Sequence, residues 1–279
     1  MQRVLTAIRD KTRGRRALRI GLVPTMGAFH EGHLALMRKA KQECDIVVVS
    51  LFVNPLQFGP AEDLKRYPSD LTADRNMAEA CGVDFLFAPT ALEIVPPDLE
   101  TQVSVDKVAS RWEGAMRPGH FRGVATIVAK LFQIVKPSVA YFGQKDYQQT
   151  VVIRKMVDDL NFNIKLRILP TIREENGLAK SSRNQFLSEE ERSSASVLYR
   201  ALQYAKQRVR SGERYCRVLQ KQVESIILSE PFVCVDYIAF CHKETLEPLP
   251  QVLGKTVLLI AVRMGKVRLI DNVILKGKC

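Results

Sequence analysis

His30 and His33 stand three residues apart in the stretch GLVPTMGAFHEGH, Gly21 to His33. Residues at that spacing share one face of a helix, so the two imidazoles would aim at the same place. Before them comes a short apolar run (Ile20, Leu22, Val23) and a turn containing Pro24, Gly27 and Gly32. Glycine has no Cβ and lets a second group approach the backbone. A strand-to-helix turn with unpaired N–H groups at the helix start is a natural anion site. The chemistry this suggests is the binding of a phosphate-bearing nucleotide at the first βα turn. On the turn alone, a tight loop with two surface histidines explains the same residues. A zinc pair fits the spacing too, yet no third ligand is near and HExxH is absent, so no metal ligand is assigned.

Two later stretches repeat the anion logic. Gly143-Gln144-Lys145-Asp146 follows a short strand, Val139 to Phe142, and leads into a helix from Tyr147 to Leu160. Lys180-Ser181-Ser182-Arg183 places two hydroxyls between two cations in a loop, a donor set suited to phosphate oxygens. Helix capping is the ordinary use of such serines. Ser188, with Glu191 three residues on, fits a capping box better, which leaves Ser181 and Ser182 for another role.

These residues need elements to position them. Helices are predicted over Leu34–Ala40, Asp70–Cys81 and Val124–Val135, and strands over Ile46–Val53, Val83–Ala88 and Ile164–Leu169. Strands alternating with helices indicate an α/β fold, a doubly wound parallel sheet that binds ligands at its carboxyl ends. Suspicion therefore falls on the residues after each strand: Thr25–His33, then Asn54–Phe58 with Gln57 in the loop Asn54–Pro60, then Pro89 onward. Glu113 to Gly123 reads as a Gly-rich charged loop. Glu113 and Arg117 could position a mobile loop or pair on the surface, and His120 could orient it. Beyond Arg183 the texture becomes α+β: one long helix over Glu189–Arg210, another over Cys216–Leu228, then strands over Val233–Phe240, Thr256–Val262 and Val267–Ile270. A domain boundary near residue 180 divides the chain into 1–180 and 181–279, with the basic loop placed to act as a lid hinge. His242 reads as a surface residue. The N-terminal MQRVLTAIRDKTRGRR reads as an amphipathic helix with Val4, Leu5 and Ile8 on one side.

The 279 residues carry 46% hydrophobic and 26% charged side chains, as in ordinary globular proteins. The longest apolar runs are of strand length, too short to span a bilayer. The N-terminus lacks the apolar core of a secretory signal. Six scattered cysteines (Cys44, Cys81, Cys216, Cys234, Cys241, Cys279) form no CxxC pair, which argues for reduced thiols in a cytoplasmic protein. The net charge of +12 suits polyanions. The densest patch is Arg13, Arg15, Arg16 and Arg19. With no aromatic stacking surface or nucleic-acid motif, small anionic substrates are expected in place of nucleic acid.

Five blocks together carry a family resemblance: PTMGAFHEGH, LFVNPLQF, EGAMRPGHFRGVATIVAKLF, AYFGQKDYQQ and PTIREENGLAKSSRN, in that order over residues 20–187, with DYI and RLIDN near the C-terminus. The set resembles the pantothenate synthetases, relatives of the class I aminoacyl-tRNA synthetases. The resemblance implies a Rossmann-like domain with a smaller C-terminal α+β domain. It also implies ATP-dependent condensation of (R)-pantoate with β-alanine through a pantoyl adenylate, and a homodimer. By the same resemblance His30 and His33 face the triphosphate, with His33 a candidate proton donor. Lys145 and Arg183 hold phosphate oxygens, Ser181 and Ser182 add hydroxyl donors, and Gly143 and Asp146 meet the adenosine. Met26, Gly27 and Ile172 line the nucleotide. Gln57 and Gln149 bind pantoate, and Gln57 also meets β-alanine. Mg²⁺ is expected on the ATP phosphates without dedicated protein ligands. Another HxGH nucleotidyltransferase, such as a phosphopantetheine adenylyltransferase, would share the turn but need neither the Gln57 loop nor the FGQKD block. A basic RNA-binding protein would rest on charge alone. Three positions depart from the family pattern: Gln144 in place of Glu, Lys180 in place of an apolar residue, and Val95 in place of Tyr. Lys180 adds a charge beside the expected triphosphate.

Overall fold

The computed structural model describes residues 1–11, 17–59, 64 and 67–277. Arg13, Arg15 and Arg16 of the basic patch, Pro60 of the Gln57 loop and Cys279 lie outside them. Among the described residues the chain forms a five-stranded parallel sheet and a three-stranded antiparallel sheet. The first is built from α1 (Gln2–Lys11), β1 (Ile20–Thr25), α2 (Glu31–Glu43), β2 (Ile46–Leu51), α3 (Leu71–Ala80) and β3 (Phe85–Phe87). Three short helical turns follow: α4 (Ala91–Ile94), α5 (Asp106–Ala109) and α6 (Glu113–Met116). Then come α7 (His120–Val135), β4 (Val139–Gly143), α8 (Tyr147–Asp159) and β5 (Lys165–Leu169).

The strand order is β3-β2-β1-β4-β5, parallel throughout. Alternate residues face opposite ways along each strand. Ile20, Leu22, Val48, Ala140 and Phe142 join the core under α7 and α8, while Val23, Val47, Val49 and Tyr141 join the core under α2 and α3. Burial on both faces is why these strands read as continuous apolar runs. The order reverses between β1 and β4. Open α/β sheets bind ligands at such a switch point, outside the carboxyl ends. The sequence-predicted doubly wound sheet is therefore present, and its crevice lies between the first turn and the Gly143–Asp146 segment.

The second sheet follows α9 (Glu189–Ser194), α10 (Val197–Arg210) and α11 (Cys216–Ile227) and consists of β6 (Val233–His242), β7 (Thr256–Met264) and β8 (Val267–Leu275). One face, with Ile238, Phe240, Leu258 and Ile260, packs in the core of α10 and α11. The other, with Ala239, Cys241, Val257 and Leu259, joins the core of the parallel-sheet unit. Polar pins cross the same boundary. Trp112 Nε1 donates to the Leu246 carbonyl (2.9 Å) and the Tyr147 hydroxyl to the Lys243 carbonyl (2.9 Å).

Several expected boundaries move. The helix expected over Glu189–Arg210 breaks at Ala195-Ser196, where i→i+3 bonds such as Leu198 N to Ala195 O replace the α-helical ladder. Serines at 193, 194 and 196 are weak helix formers there. The helix expected from Val124 starts at His120, because Gly119 takes a left-handed φ of 82° that turns the chain into it. The charged stretch Glu113–Gly123 is thus mostly helical. Val4 is 46% exposed, so Leu5 alone of the three predicted apolar residues of α1 is fully buried.

Candidate active site

The turn after β1 is held from behind. Gly27 (φ 89°) and Ala28 (φ 52°) are both left-handed, a conformation an alanine adopts only when its surroundings impose it. Asp74 on α3, itself buried, supplies the constraint. Its two carboxylate oxygens accept from Ala28 N (2.9 Å) and Phe29 N (2.7 Å). A Cβ at Gly27 would sit 2.9 Å from one of those oxygens.

The two histidines cap α2 reciprocally. Gly32 N–H donates to His30 Nδ1 (3.1 Å), and His30 N–H donates to His33 Nδ1 (3.3 Å). The helix N-terminus therefore does not present those N–H groups to a ligand, as the sequence suggested. It passes its donors through the rings: with both Nδ1 atoms accepting, each neutral imidazole carries its proton on Nε2. Burial, with neighbouring positive charge, lowers the pKa of His30 to about 4 and that of His33 to about 3. Both rings are neutral at pH 7. In this state His33 offers its Nε2–H as a hydrogen-bond donor.

At the end of β4 the chain makes a 3₁₀ turn, Gln144–Asp146, that runs into α8. Asn272 of β8 holds it. Its Nδ2 donates to the carbonyls of Gln144 (2.9 Å) and Lys145 (3.0 Å), and its Oδ1 accepts from Gln144 Nε2 (3.1 Å). A glutamate at 144 could not make the last of these bonds, so the departure at Gln144 matches its partner. Lys145 Nζ lies 3.7 Å from Asp146. Burial works to raise the Asp146 pKa; the charges of Lys145 and then Arg183 lead those that outweigh it and hold the carboxyl below its ordinary value.

The Lys180–Arg183 segment is braced in the same way. Lys180 N donates to Ile172 O (2.9 Å), and Asn184 Nδ2 reaches Ala179 O (3.1 Å) and Glu174 (2.9 Å). Arg173 pairs in bidentate fashion with the buried Asp271 (2.6 and 3.0 Å). Ser181 is not exempt from capping duty: its Oγ accepts from Arg183 N (3.3 Å) at the start of a 3₁₀ turn. The Ser188–Glu191 capping box forms as expected.

Gln57 sits in a third frame. Asn54 Nδ2 donates to Gln57 Oε1 (3.1 Å) and to Gly123 O (3.1 Å), and the Gln57 amide touches the Met26 thioether. His120 Nδ1 lies 2.9 Å from the Gln57 carbonyl, and Arg117 donates to the same oxygen (3.4 Å). A Cβ at Gly123 would meet Leu56 O at 2.2 Å, so only glycine lets α7 pack this closely.

These pieces enclose one cavity of about 220 Å³. From the β1 side it is lined by Met26, His30 and His33, and from the β4 side by Gly143, Lys145, Asp146 and Gln149. Ile172, Lys180, Ser181, Ser182 and Arg183 close it from the segment after β5, and Gln57 faces them. Gly27 is the one expected site residue that does not line it; it stands behind the turn, against Asp74. Among the described lining residues, four are lysine or arginine and Asp146 is the only carboxylate. A larger cleft of about 690 Å³, lined by residues of α6–α8 and of the antiparallel sheet, opens onto the same Lys145, Asp146, Gln149 and Arg183. Among the described residues no group of three His, Cys, Asp or Glu side chains is placed to hold a metal, and no helix is long and apolar enough to cross a membrane.

The model of the pantoate–β-alanine ligase family matches residues 1–274. The chain belongs to that family. Family members are ligases that form an amide bond. The chain is 52% identical to a pantothenate synthetase of Caldicellulosiruptor saccharolyticus over 92% of each chain, and 49% identical to that of Roseiflexus castenholzii over 99% of this chain and the whole of its relative. The crystal structure of the pantothenate synthetase of Thermus thermophilus superposes with a TM-score of 0.91 at 46% identity, covering 98% of both chains. The ligase of Francisella tularensis, crystallised with βγ-ATP and β-alanine, gives a TM-score of 0.79 at 35% identity, over 98% of this chain and 95% of its own.

Within this ligase family member, sequence reasoning found the lining residues and missed their supports. Asp74 and Asn272 carry no local signal, because each acts on a segment far away in the chain. His120 was readable only as part of a loop, and Glu113 as one of two equal options. Glu113 does pair with Arg117 (3.8 Å), but buried, and its closer partner is Arg268 of β8. The departure at Val95 ends the turn α4 and packs at the edge of the main core, away from the lining.

Proposed function

We propose that this chain joins (R)-pantoate to β-alanine and splits ATP to AMP and pyrophosphate through a pantoyl adenylate. The observation that supports this most is the shared cavity, lined both by donors suited to a polyanion and by the side-chain amides of Gln57 and Gln149. Gln57 and Gln149 bind pantoate, each able to donate and accept at once. A pantoate carboxylate oxygen attacks the α-phosphorus of ATP and pyrophosphate leaves. Charge grows on the phosphates, where Lys145, Arg183, the hydroxyls of Ser181 and Ser182, and the Nε2–H groups of His30 and His33 stabilise it. Asp146 and Gly143 meet the adenosine, Met26 and Ile172 line the nucleotide, and Gly27 shapes the turn. β-Alanine, bound beside Gln57, then attacks the acyl carbon with its neutral amine and AMP departs.

A Mg²⁺ ion is held mainly by ATP itself, with Asp146 the carboxylate that lines the cavity among the described residues. Such an ion supplies charge neutralisation on the phosphates. Residues 1–180 form the substrate-binding unit and 181–279 the covering one. The same proposal includes a homodimer in the cytoplasm. The test is pantoate-dependent exchange of labelled pyrophosphate into ATP with β-alanine left out. Exchange that requires pantoate is expected. A folded protein that binds ATP and shows no such exchange contradicts the reading.

A further inference from the structure

Two C-terminal segments, DYI (236–238) and RLIDN (268–272), have no part in the proposed reaction beyond Asn272 and Asp271. The structure gives them one. Arg268 of β8 pairs with Glu113 and, at 2.7 Å, with Asp236 of β6. The Tyr237 hydroxyl also donates to Glu113 (3.2 Å). Glu113 is buried, and Arg117 stands 3.8 Å from the same carboxylate oxygen that Arg268 holds. Arg117 in turn contacts His120 Nε2 (3.2 Å) and donates to the Gln57 carbonyl, which His120 Nδ1 also reaches. The chain of contacts is continuous from the antiparallel sheet to the loop that carries the Gln57 amide.

The backbone at this junction is held against its preference. Trp112, next to Glu113, has φ 49° and ψ −111°, a conformation rare for a bulky residue. It is kept there by its indole bond to Leu246 O and by Gln148, whose side chain accepts from Glu113 N (3.1 Å). Strain that persists only because neighbours on both units impose it marks a place where their relative position matters.

We propose that Arg268 is a positioning residue for pantoate: by holding Glu113 it lets Arg117 fix His120 and the Gln57 loop. Without Arg268 the Glu113 carboxylate has Arg117 as its remaining cation among the described residues, and draws the guanidinium away from His120 and the Gln57 carbonyl. The inference rests on the reading of Gln57 as a pantoate ligand, and its test separates the two.

The test measures KM for pantoate and for ATP, with kcat, in Arg268→Met, Arg268→Lys, Arg263→Met, Gln57→Ala and the double variant Arg268→Met/Gln57→Ala. Arg268→Met should raise pantoate KM about tenfold, the effect of loosening one charge-assisted contact, and leave ATP KM within about twofold. Arg268→Lys, which keeps the charge and shortens the reach, should fall between. Arg263 also pairs with Asp236 (3.0 Å) but not with Glu113, so Arg263→Met should leave both constants unchanged. The double variant should be no worse than Gln57→Ala alone, because both changes act on one element. If Gln57→Ala does not raise pantoate KM, the assignment of Gln57 fails. If it does while Arg268→Met leaves pantoate KM unchanged, raises both KM values together, or adds fully to Gln57→Ala, the positioning role is overturned.

Discussion

The cavity has two unlike walls. The wall at the ends of β4 and β5 carries Lys145, Lys180 and Arg183 on half-buried side chains. The wall facing it carries an amide, Gln57, set in a frame of Asn54, His120, Arg117 and Gly123. The contrast follows from what each wall must hold. Attraction between a lysine and a phosphate falls slowly with distance and tolerates a range of side-chain positions. A small hydroxy acid is recognised through directed hydrogen bonds, which fail if the amide is displaced by a fraction of an ångström. Both walls are braced by backbone and side-chain hydrogen bonds; they differ in how much displacement the groups they present can tolerate.

The sharpest way to break this comparison is to remove a charge. Lys145→Ala should lower kcat about 100- to 1,000-fold, as loss of a donor to developing negative charge does, with little change in pantoate KM. A larger effect on pantoate KM than on kcat would merge the two walls into one. Next in size is the support behind the histidine turn. Asp74→Ala leaves the Ala28 and Phe29 N–H groups without their acceptor, and should cost about 2 kcal/mol or more in a denaturant titration. An unchanged midpoint would mean that the left-handed pair at 27–28 needs no clamp. Lys180→Met should raise ATP KM several-fold, roughly the worth of one partly screened charge, and leave pantoate KM alone. An unchanged ATP KM would make Lys180 a bystander.

The histidines sharpen the comparison without any substitution. Both pKa values lie below the ordinary 6.5, at about 4 and 3. Between about 6.5 and 4 the unfolded chain binds protons there that the folded chain does not. Their contribution to stability is thus complete above about pH 6.5 and declines as pH falls, down to about 4 for His30 and about 3 for His33. Nitrogen NMR of the protein near pH 6 should show both rings neutral with the proton on Nε2. Imidazolium signals at that pH would contradict the capping geometry.

What the sequence made legible follows the same division. His30, His33, Lys145, Ser181, Ser182 and Arg183 announce themselves, because each sits next to a turn and its chemistry is local. Alternation and apolar runs placed the parallel strands, since burial on both faces leaves little else for them to be. The break at Ala195-Ser196 was hidden because no glycine or proline marks it, and EEERSS before it has no apolar residue whose period could show the change. The roles of Asp74, and of Asn272 and Arg268 within the RLIDN segment, were hidden for a stronger reason. Their roles exist only once segments roughly 45 to 155 residues apart in the chain are brought together, and no local spacing encodes that.

The central claim is that pantoate is activated by becoming an adenylate in this cavity. It is tested most directly by running the complete reaction with pantoate labelled with ¹⁸O in its carboxylate and weighing the AMP. The carboxylate oxygen that attacks the α-phosphorus stays with phosphorus when the amine displaces AMP, so the account predicts one labelled oxygen in each AMP formed. Pantothenate production with unlabelled AMP would contradict it.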